Sequence, residues 1–123
     1  MFDRTTVRGI LGDILAASQT IMKRSESIMS PDDFTASDEG RIKLDSICML
    51  IIAIGESLKN IDKITGNDFL NHYGDIDWKD AKGMRDVVSH HYFDIDKEIV
   101  FDVCKNHIPR LIVVINKMIK DLS

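Results

Sequence analysis

Apolar residues recur along this chain at three- and four-residue intervals, the spacing that lines one face of a helix. Val7, Leu11, Ile14, Ser18, Ile21 and Ile28 form the first such series and predict a helix over residues 3–28. Ser30-Pro31-Asp32-Asp33 interrupts it, and Ser37 followed by Asp38-Glu39 reads as the start of the next helix. In that second helix Leu44, Ile47, Ile51, Ile54, Leu58 and Ile61 step alternately by three and four, a heptad-like seam. Between Ile47 and Ile54 the other faces are apolar as well, through Cys48, Met49, Leu50, Ile52 and Ala53. A helix apolar nearly all round is buried on several sides, and a bundle this small has little with which to cover it. The expectation is a homodimer whose interface uses this helix, set against a central helix in a monomeric bundle.

Thr65-Gly66-Asn67 closes the second helix, and a short turn follows through Phe69, His72 and Tyr73. Gly74-Asp75-Ile76-Asp77 then gives a break, with Asp77 placed to cap a third helix from Trp78 to about His90. Asp94 or Asp96 caps the last helix, whose seam runs Val100, Cys104, Ile108, Leu111, Ile115, Met118 and Leu122. Pro109 lacks a backbone donor and crowds the preceding turn, which predicts a kink or break near Asn106-His107. The predicted fold is an all-α bundle of four or five helices, with residues 1–123 forming one domain.

Composition narrows the function without naming it. Seven glycines and two prolines suit long helices, and 44% apolar with 29% charged residues is the balance of a globular protein. Cys48 and Cys104 lie inside apolar helical patterns and in no metal-ligand spacing, so both read as buried free thiols of a reducing compartment. The chain shows no secretion signal, and its longest apolar run, Ile47 to Ile54, is too short to span a bilayer, so a cytoplasmic setting is expected. A net charge of −4 argues against a broad nucleic-acid-coating surface but not against a local site for one phosphate.

Polar chemistry concentrates in Gly83-Met84-Arg85-Asp86-Val87-Val88-Ser89-His90-His91-Tyr92-Phe93-Asp94-Ile95-Asp96, which contains R-x4-H-x-Y. Five residues of regular helix turn Arg85 and His90 about 140° apart, so they do not pair on one face. Two arrangements bring them together: the helix ends just after Ser89 and swings His90 across, or a symmetric dimer gathers two copies around one cleft. Asp86 stands at i, i+4 from His90 and is placed to hydrogen-bond its ring. An arginine and a histidine without metal ligands suit RNA cleavage by the RNA's own 2′-hydroxyl. The imidazole moves protons near neutral pH, and the guanidinium stabilises charge developing on the phosphate. Tyr92 could orient a phosphate or stack on a base. By spacing alone R-x4-H is common, and such residues are usually solvated or locally paired.

The run from Ile76-Asp77-Trp78 through Gly83-Met84-Arg85 to Asp96 resembles the HEPN superfamily, specifically the HepT-like toxins of toxin–antitoxin pairs. Ile54-Gly55-Glu56-Ser57 is similar to an Ile-Gly-Glu-Ala stretch in that family's preceding long helix. The resemblance implies a metal-independent endoribonuclease toxin, of a type II or type VII system, working as a homodimer with a composite cleft and needing neither cofactor nor metal. Arg85 and His90 match the family's catalytic pair, and Asp86 the polar position after the arginine, often asparagine there. The implied partner is an MntA-like minimal nucleotidyltransferase antitoxin that adenylylates the motif tyrosine, here Tyr92. Charge and bulk added at Tyr92 would block RNA. His91 is no motif position.

Other candidates have plainer expectations. His72 and Tyr73 pack or cap, Trp78 anchors the third helix in the core, and His107 sits at a helix terminus. Glu56, in a very apolar helix, either pairs with Arg85 near the cleft or occupies a solvated gap. Against the enzyme reading stands a non-catalytic helical dimer that binds a nucleotide or docks a nucleotidyltransferase, favoured by the acidic charge and by Asp86 beside Arg85.

Overall fold

A computed structural model of the chain describes residues 2–90 and 92–123, except the side chains of Val87, Ser89, His90 and Tyr92. The described elements are helical. Helix α1 spans Arg4–Ser25, α2 Asp38–Thr65, α3 Trp78–His90, α4 Lys97–Asp102 and α5 Ile108–Asp121, with short 3₁₀ turns at Pro31–Phe34, Leu70–His72 and Tyr92–Asp94.

Each start follows from local chemistry. Asp3 accepts the Thr5 and Thr6 N–H groups at the head of α1, Ser37 accepts that of Gly40, Asp77 that of Asp80, and Asp96 those of Glu98 and Ile99. Of the two caps expected for the last helix, Asp96 is the one used. Gly66 ends α2 at φ 75°, a left-handed backbone that glycine adopts without a Cβ penalty. Helix α1 stops at Ser25, three residues before its expected end. The Ser25 carbonyl turns to accept the Ile28 N–H at 3.0 Å and the Lys105 ammonium at 2.9 Å, so the chain bends while Ile28 stays in the core.

The interruption expected near Asn106-His107 is present, as a change of helix type between two α-helices. Between α4 and α5 the backbone widens into a π turn, Val103–His107, where the Ile108 N–H reaches back to the Val103 carbonyl. This places proline in the first turn of α5, where its missing N–H costs no helical hydrogen bond.

The predicted seams converge on one core. The apolar seam positions of α1, all six of α2 and all seven of the last helix are buried, and Phe34 is driven in by its 3₁₀ turn. Helix α1 packs on α2 and α5, while α3 lies chiefly against α2. Trp78 anchors α3 as expected, 6% exposed, with its indole N–H donating to the Tyr73 carbonyl at 2.8 Å. Tyr73 donates to Asp121 at 2.8 Å and packs on Phe69.

One expectation for α2 changes. It is not covered all round: Ile42 and Met49 are each 68% exposed, and with Ala53 and Glu56 they form an outward stripe. No helix of the described residues is long and apolar enough to cross a membrane.

Cys48 and Cys104 are buried free thiols, 4% and 1% exposed. Burial pushes their pKa values up to about 12 and about 11. Because the folded values lie above the ordinary 9.0, the neutral thiols cost nothing below that pH. Stability then falls as pH climbs towards the folded values. An aromatic disulfide reagent at neutral pH is expected to leave both thiols unreacted in the native protein and to titrate both after denaturation. Rapid native-state reaction would contradict this burial.

Candidate active site

Helices α2 and α3 meet along a seam of charges. On α2 the outward side carries Glu56, Lys59 and Asp62, one turn apart, and α3 answers with Lys82, Arg85 and Asp86. Lys82 pairs with Asp62, and Lys59 lies 3.9 Å from Asp86. Arg85 occupies the centre. Its Nε and Nη2 both donate to Glu56 Oε1 at 2.9 Å, and its Nη1 donates to Asp86 Oδ1 at 2.9 Å. Both carboxylates, Asp86 foremost and then Glu56, raise the guanidinium pKa above its ordinary value, so the charge is fixed.

These contacts say more about position than about stability. The Arg85 side chain is 33% exposed and that of Glu56 57% exposed, and ion pairs at such exposure contribute little to folding. What they do is hold a long, flexible side chain in one orientation. Three of the five guanidinium N–H groups are engaged, which leaves two for an anion.

The close approach that permits this depends on Gly55. A Cβ at that position would lie 2.7 Å from the Arg85 Cβ, nearer than two carbons can sit, so only glycine lets α3 come this near. Gly55→Ala is therefore expected to push α3 outward and to lower any activity that depends on Arg85 by roughly 10²-fold, the cost of misplacing a reacting group by an ångström. The melting temperature should change little, because alanine's helix propensity offsets part of the strain. Full activity in this variant would show that the approach is irrelevant.

Of the residues singled out from sequence, Arg85, Asp86 and Glu56 come together. Glu56 pairs with Arg85 instead of filling a solvated gap, and it does so while still facing water. Asp86 lies against Arg85, and whether it also meets the His90 ring falls outside the described residues. So do the side chains of His90 and Tyr92, and His91 altogether. The backbone of α3 is helical up to His90, its last residue, and the direction of that side chain lies outside the described residues. His72 bonds Asp68 at 3.2 Å and His107 bonds Asp102 at 3.1 Å, both local pairs away from Arg85.

A cavity of about 530 Å³ opens elsewhere, between α2, the first half of α3 and the π turn with α5. Ile51, Ile54, Met84 and Leu111 line it, with His107 and Arg110 at its rim. Neither Arg85 nor Glu56 borders it, so this hollow and the polar constellation are separate features. Sequence reasoning had no means of finding this cavity, since the walls come from three distant segments. The role of Gly55 did leave a signal: a lone glycine inside a strongly apolar helix.

Comparison with known proteins bears on the family. The family described as Ribonuclease HepT-like matches residues 18–118. A protein of Methanocaldococcus jannaschii named "Putative RNase MJ0127" is 33% identical over 117 residues, covering 95% of this chain and 90% of its own. A second from that organism, "Gamma-glutamylcyclotransferase and putative RNase MJ0434", is 29% identical over 98% of this chain and only 50% of its own length. "Probable ribonuclease HepT" of Thermococcus cleftensis is 38% identical over 58 residues, 47% of this chain and 49% of its own. No solved structure matches the chain. The extent of the family match, together with an arginine fixed at the α2–α3 crossing inside the R-x4-H-x-Y motif, places this chain in the HepT-like ribonuclease family of the HEPN superfamily.

Proposed function

We propose that this chain is a metal-independent endoribonuclease toxin that cleaves RNA through Arg85 and His90 of its motif. The observation that carries the reading is the Arg85 guanidinium. It is held at a helix crossing by Glu56 and Asp86, permanently charged, with two N–H groups left for a phosphate. Arg85 stabilises charge building on the phosphate, and His90 relays protons for the attacking 2′-hydroxyl and the leaving oxygen.

The working unit in this reading is a homodimer. Arg85 and His90 stand about 140° apart on a regular helix, and a symmetric pair of copies is one of the two arrangements that gather them around one cleft. The α2 stripe supports it: Ile42 and Met49 are seven residues apart, Glu56 seven further on, and so exposed apolar surface leads directly to the Arg85 contact.

The system is of the type II or type VII toxin–antitoxin class, and its antitoxin is an MntA-like nucleotidyltransferase that adenylylates Tyr92. An AMP there adds negative charge and bulk two residues from His90, where an RNA strand has to lie. Co-expression with such a partner is expected to add the mass of one AMP at Tyr92, and Tyr92→Phe to abolish that gain. An unchanged gain in the variant refutes the site.

A second reading has one observation in its favour. Two carboxylates around one guanidinium partly neutralise it, which suits a non-catalytic dimer that docks a partner protein. Incubating RNA with excess chelator and the wild type, Arg85→Ala or His90→Ala separates the two. Chelator-resistant cleavage lost in both variants supports the enzyme. Equal cleavage by all three proteins, or none by the wild type, overturns it.

A further inference from the structure

The cavity between α2, α3 and α5 lies apart from the Arg85 contacts, and the proposed cleavage does not use it. Its volume of about 530 Å³ falls within the roughly 300–1,000 Å³ of small-molecule sites and far exceeds the voids that core packing leaves. Ile51 and Ile54 of α2, Met84 of α3 and Leu111 of α5 give it apolar walls. Gly83 also borders it, and a Cβ at that position would meet nothing within 4 Å. Helix α3 therefore leaves room on this side that a larger residue could fill.

Polar groups gather at its mouth. The π turn supplies His107 and the first turn of α5 supplies Arg110. Asp102 and His107 are five residues apart, which a regular α-helix would turn about 140° from each other. The wider turn brings them together: His107 Nε2 lies 3.1 Å from Asp102 Oδ2, and Asn106 donates to Asp102 Oδ1 at 2.6 Å. Asn106 foremost, and then His107, hold the Asp102 carboxyl below its ordinary range. That carboxylate fixes the imidazole through Nε2 and leaves Nδ1 for another partner. Single π turns of this kind are frequent at functional sites. On the α3 side, Asp77 is engaged with the Asp80 N–H at the helix start, where the dipole offsets its charge, and Lys79 stands beside Asp80. Arg110 has no ion pair among the described residues, so the α5 side is where the mouth is cationic.

We propose that this cavity binds a small amphipathic anion, its apolar body among Ile51, Ile54, Met84 and Leu111 and its single anionic head on Arg110 and His107. The two parts divide the recognition. Burial of the body against aliphatic walls supplies affinity. The Arg110 guanidinium offers a fork of N–H groups to a carboxylate or phosphate, and the imidazole held by Asp102 adds a donor from its own side in the charged form. A bare anion lacks the first part and an uncharged chain lacks the second. The site stands independently of the RNA-cleavage reading, and its test does not require the protein to cut RNA.

The test titrates the full chain with anilinonaphthalene sulfonate, an aromatic body carrying one anionic group, and follows the dye's fluorescence. Saturable binding to the wild type is expected. Gly83→Leu and Ala81→Leu each extend a side chain into the cavity and should abolish binding while a cooperative melting transition is kept. Two such variants guard against one of them failing to fold. Arg110→Gln should weaken binding roughly two- to fivefold, the worth of one charge pair at an exposed rim. Met49→Lys, on the outward face of α2, should leave it unchanged. Decanoate and decyl phosphate, each below its micellar concentration, should displace the dye, and the better competitor identifies the head group. Acetate and inorganic phosphate should not displace it. No dye binding by the wild type, or binding retained in a folded cavity-filling variant, overturns the proposal. Undiminished binding by Arg110→Gln, or decanol competing as well as decanoate, overturns it by removing the anionic head. Loss of binding in Met49→Lys overturns it by moving the dye to the α2 face, and failure of both decyl compounds to compete overturns it as well.

Discussion

Arg85→Ala is expected to lower single-turnover RNA cleavage by at least roughly 10²- to 10³-fold, the loss that follows removal of one donor aimed at developing negative charge. The local arrangement pushes towards the upper end. Without the guanidinium, the Glu56 and Asp86 carboxylates stay beside the phosphate, and their negative charge opposes it. Arg85→Lys should recover little. One ammonium cannot contact Glu56 and Asp86, keep a fixed plane and still present two donors to a phosphate. Neither variant should lose much fold stability, because the side chain is one-third exposed and its ion pairs contribute little there. A melting temperature near wild type with cleavage gone is the expected pair of results. Retained cleavage in Arg85→Ala would remove the residue from the chemistry.

The largest expected effect on folding belongs to Gly40→Ala. In the first turn of α2, a Cβ at this position would lie 2.2 Å from the Asp33 carbonyl oxygen and 3.1 Å from that of Phe34. Both are backbone atoms, so no side-chain rotation relieves the clash. The 3₁₀ turn Pro31–Phe34 must move, and with it Phe34, which is fully buried. Alanine gains up to about 1 kcal/mol over glycine inside a helix, but overpacking against fixed backbone costs about 1–3 kcal/mol or more. Partial loss of Phe34 packing adds to the cost. The net expectation is a destabilisation of about 3 kcal/mol, or roughly 10 °C in melting temperature. Gly9→Ala is the matching control: it lies on exposed α1 with nothing within 4 Å of the added methyl, and should stabilise by about 0.5–1 kcal/mol. Equal melting temperatures for the two variants would show that the crossing at Gly40 is looser than described.

Much of this architecture was legible in the sequence because it is set locally. The seams of α2 and the last helix are periodic enough to name their core residues. Ser37, Asp77 and Asp96 announce helix starts by hydrogen-bonding the first free N–H groups. The pairing of Glu56 with Arg85 was one of two expected outcomes, since a carboxylate amid aliphatics needs a partner or water, and it has both. The misreadings arose where tertiary structure decides. Pro109 marked where the last helix is interrupted, but no residue pattern signals that the backbone does so with a π turn. Met49 looked buried because its neighbours are apolar, while it stands on the open face of α2. Gly40 escaped notice because its value is the space it leaves for the Asp33–Phe34 backbone, which cannot be seen until the segments pack.

The central claim is that the Arg85 site cuts RNA by using the substrate's own 2′-hydroxyl. The most direct measurement maps the cleavage position in an RNA oligonucleotide and repeats the reaction with a single 2′-deoxy substitution at that nucleotide. Loss of cleavage at that bond, with other bonds cut as before and with chelator present throughout, is the predicted result. Undiminished cutting at the substituted position would mean that an external nucleophile attacks the phosphate, and would contradict the account.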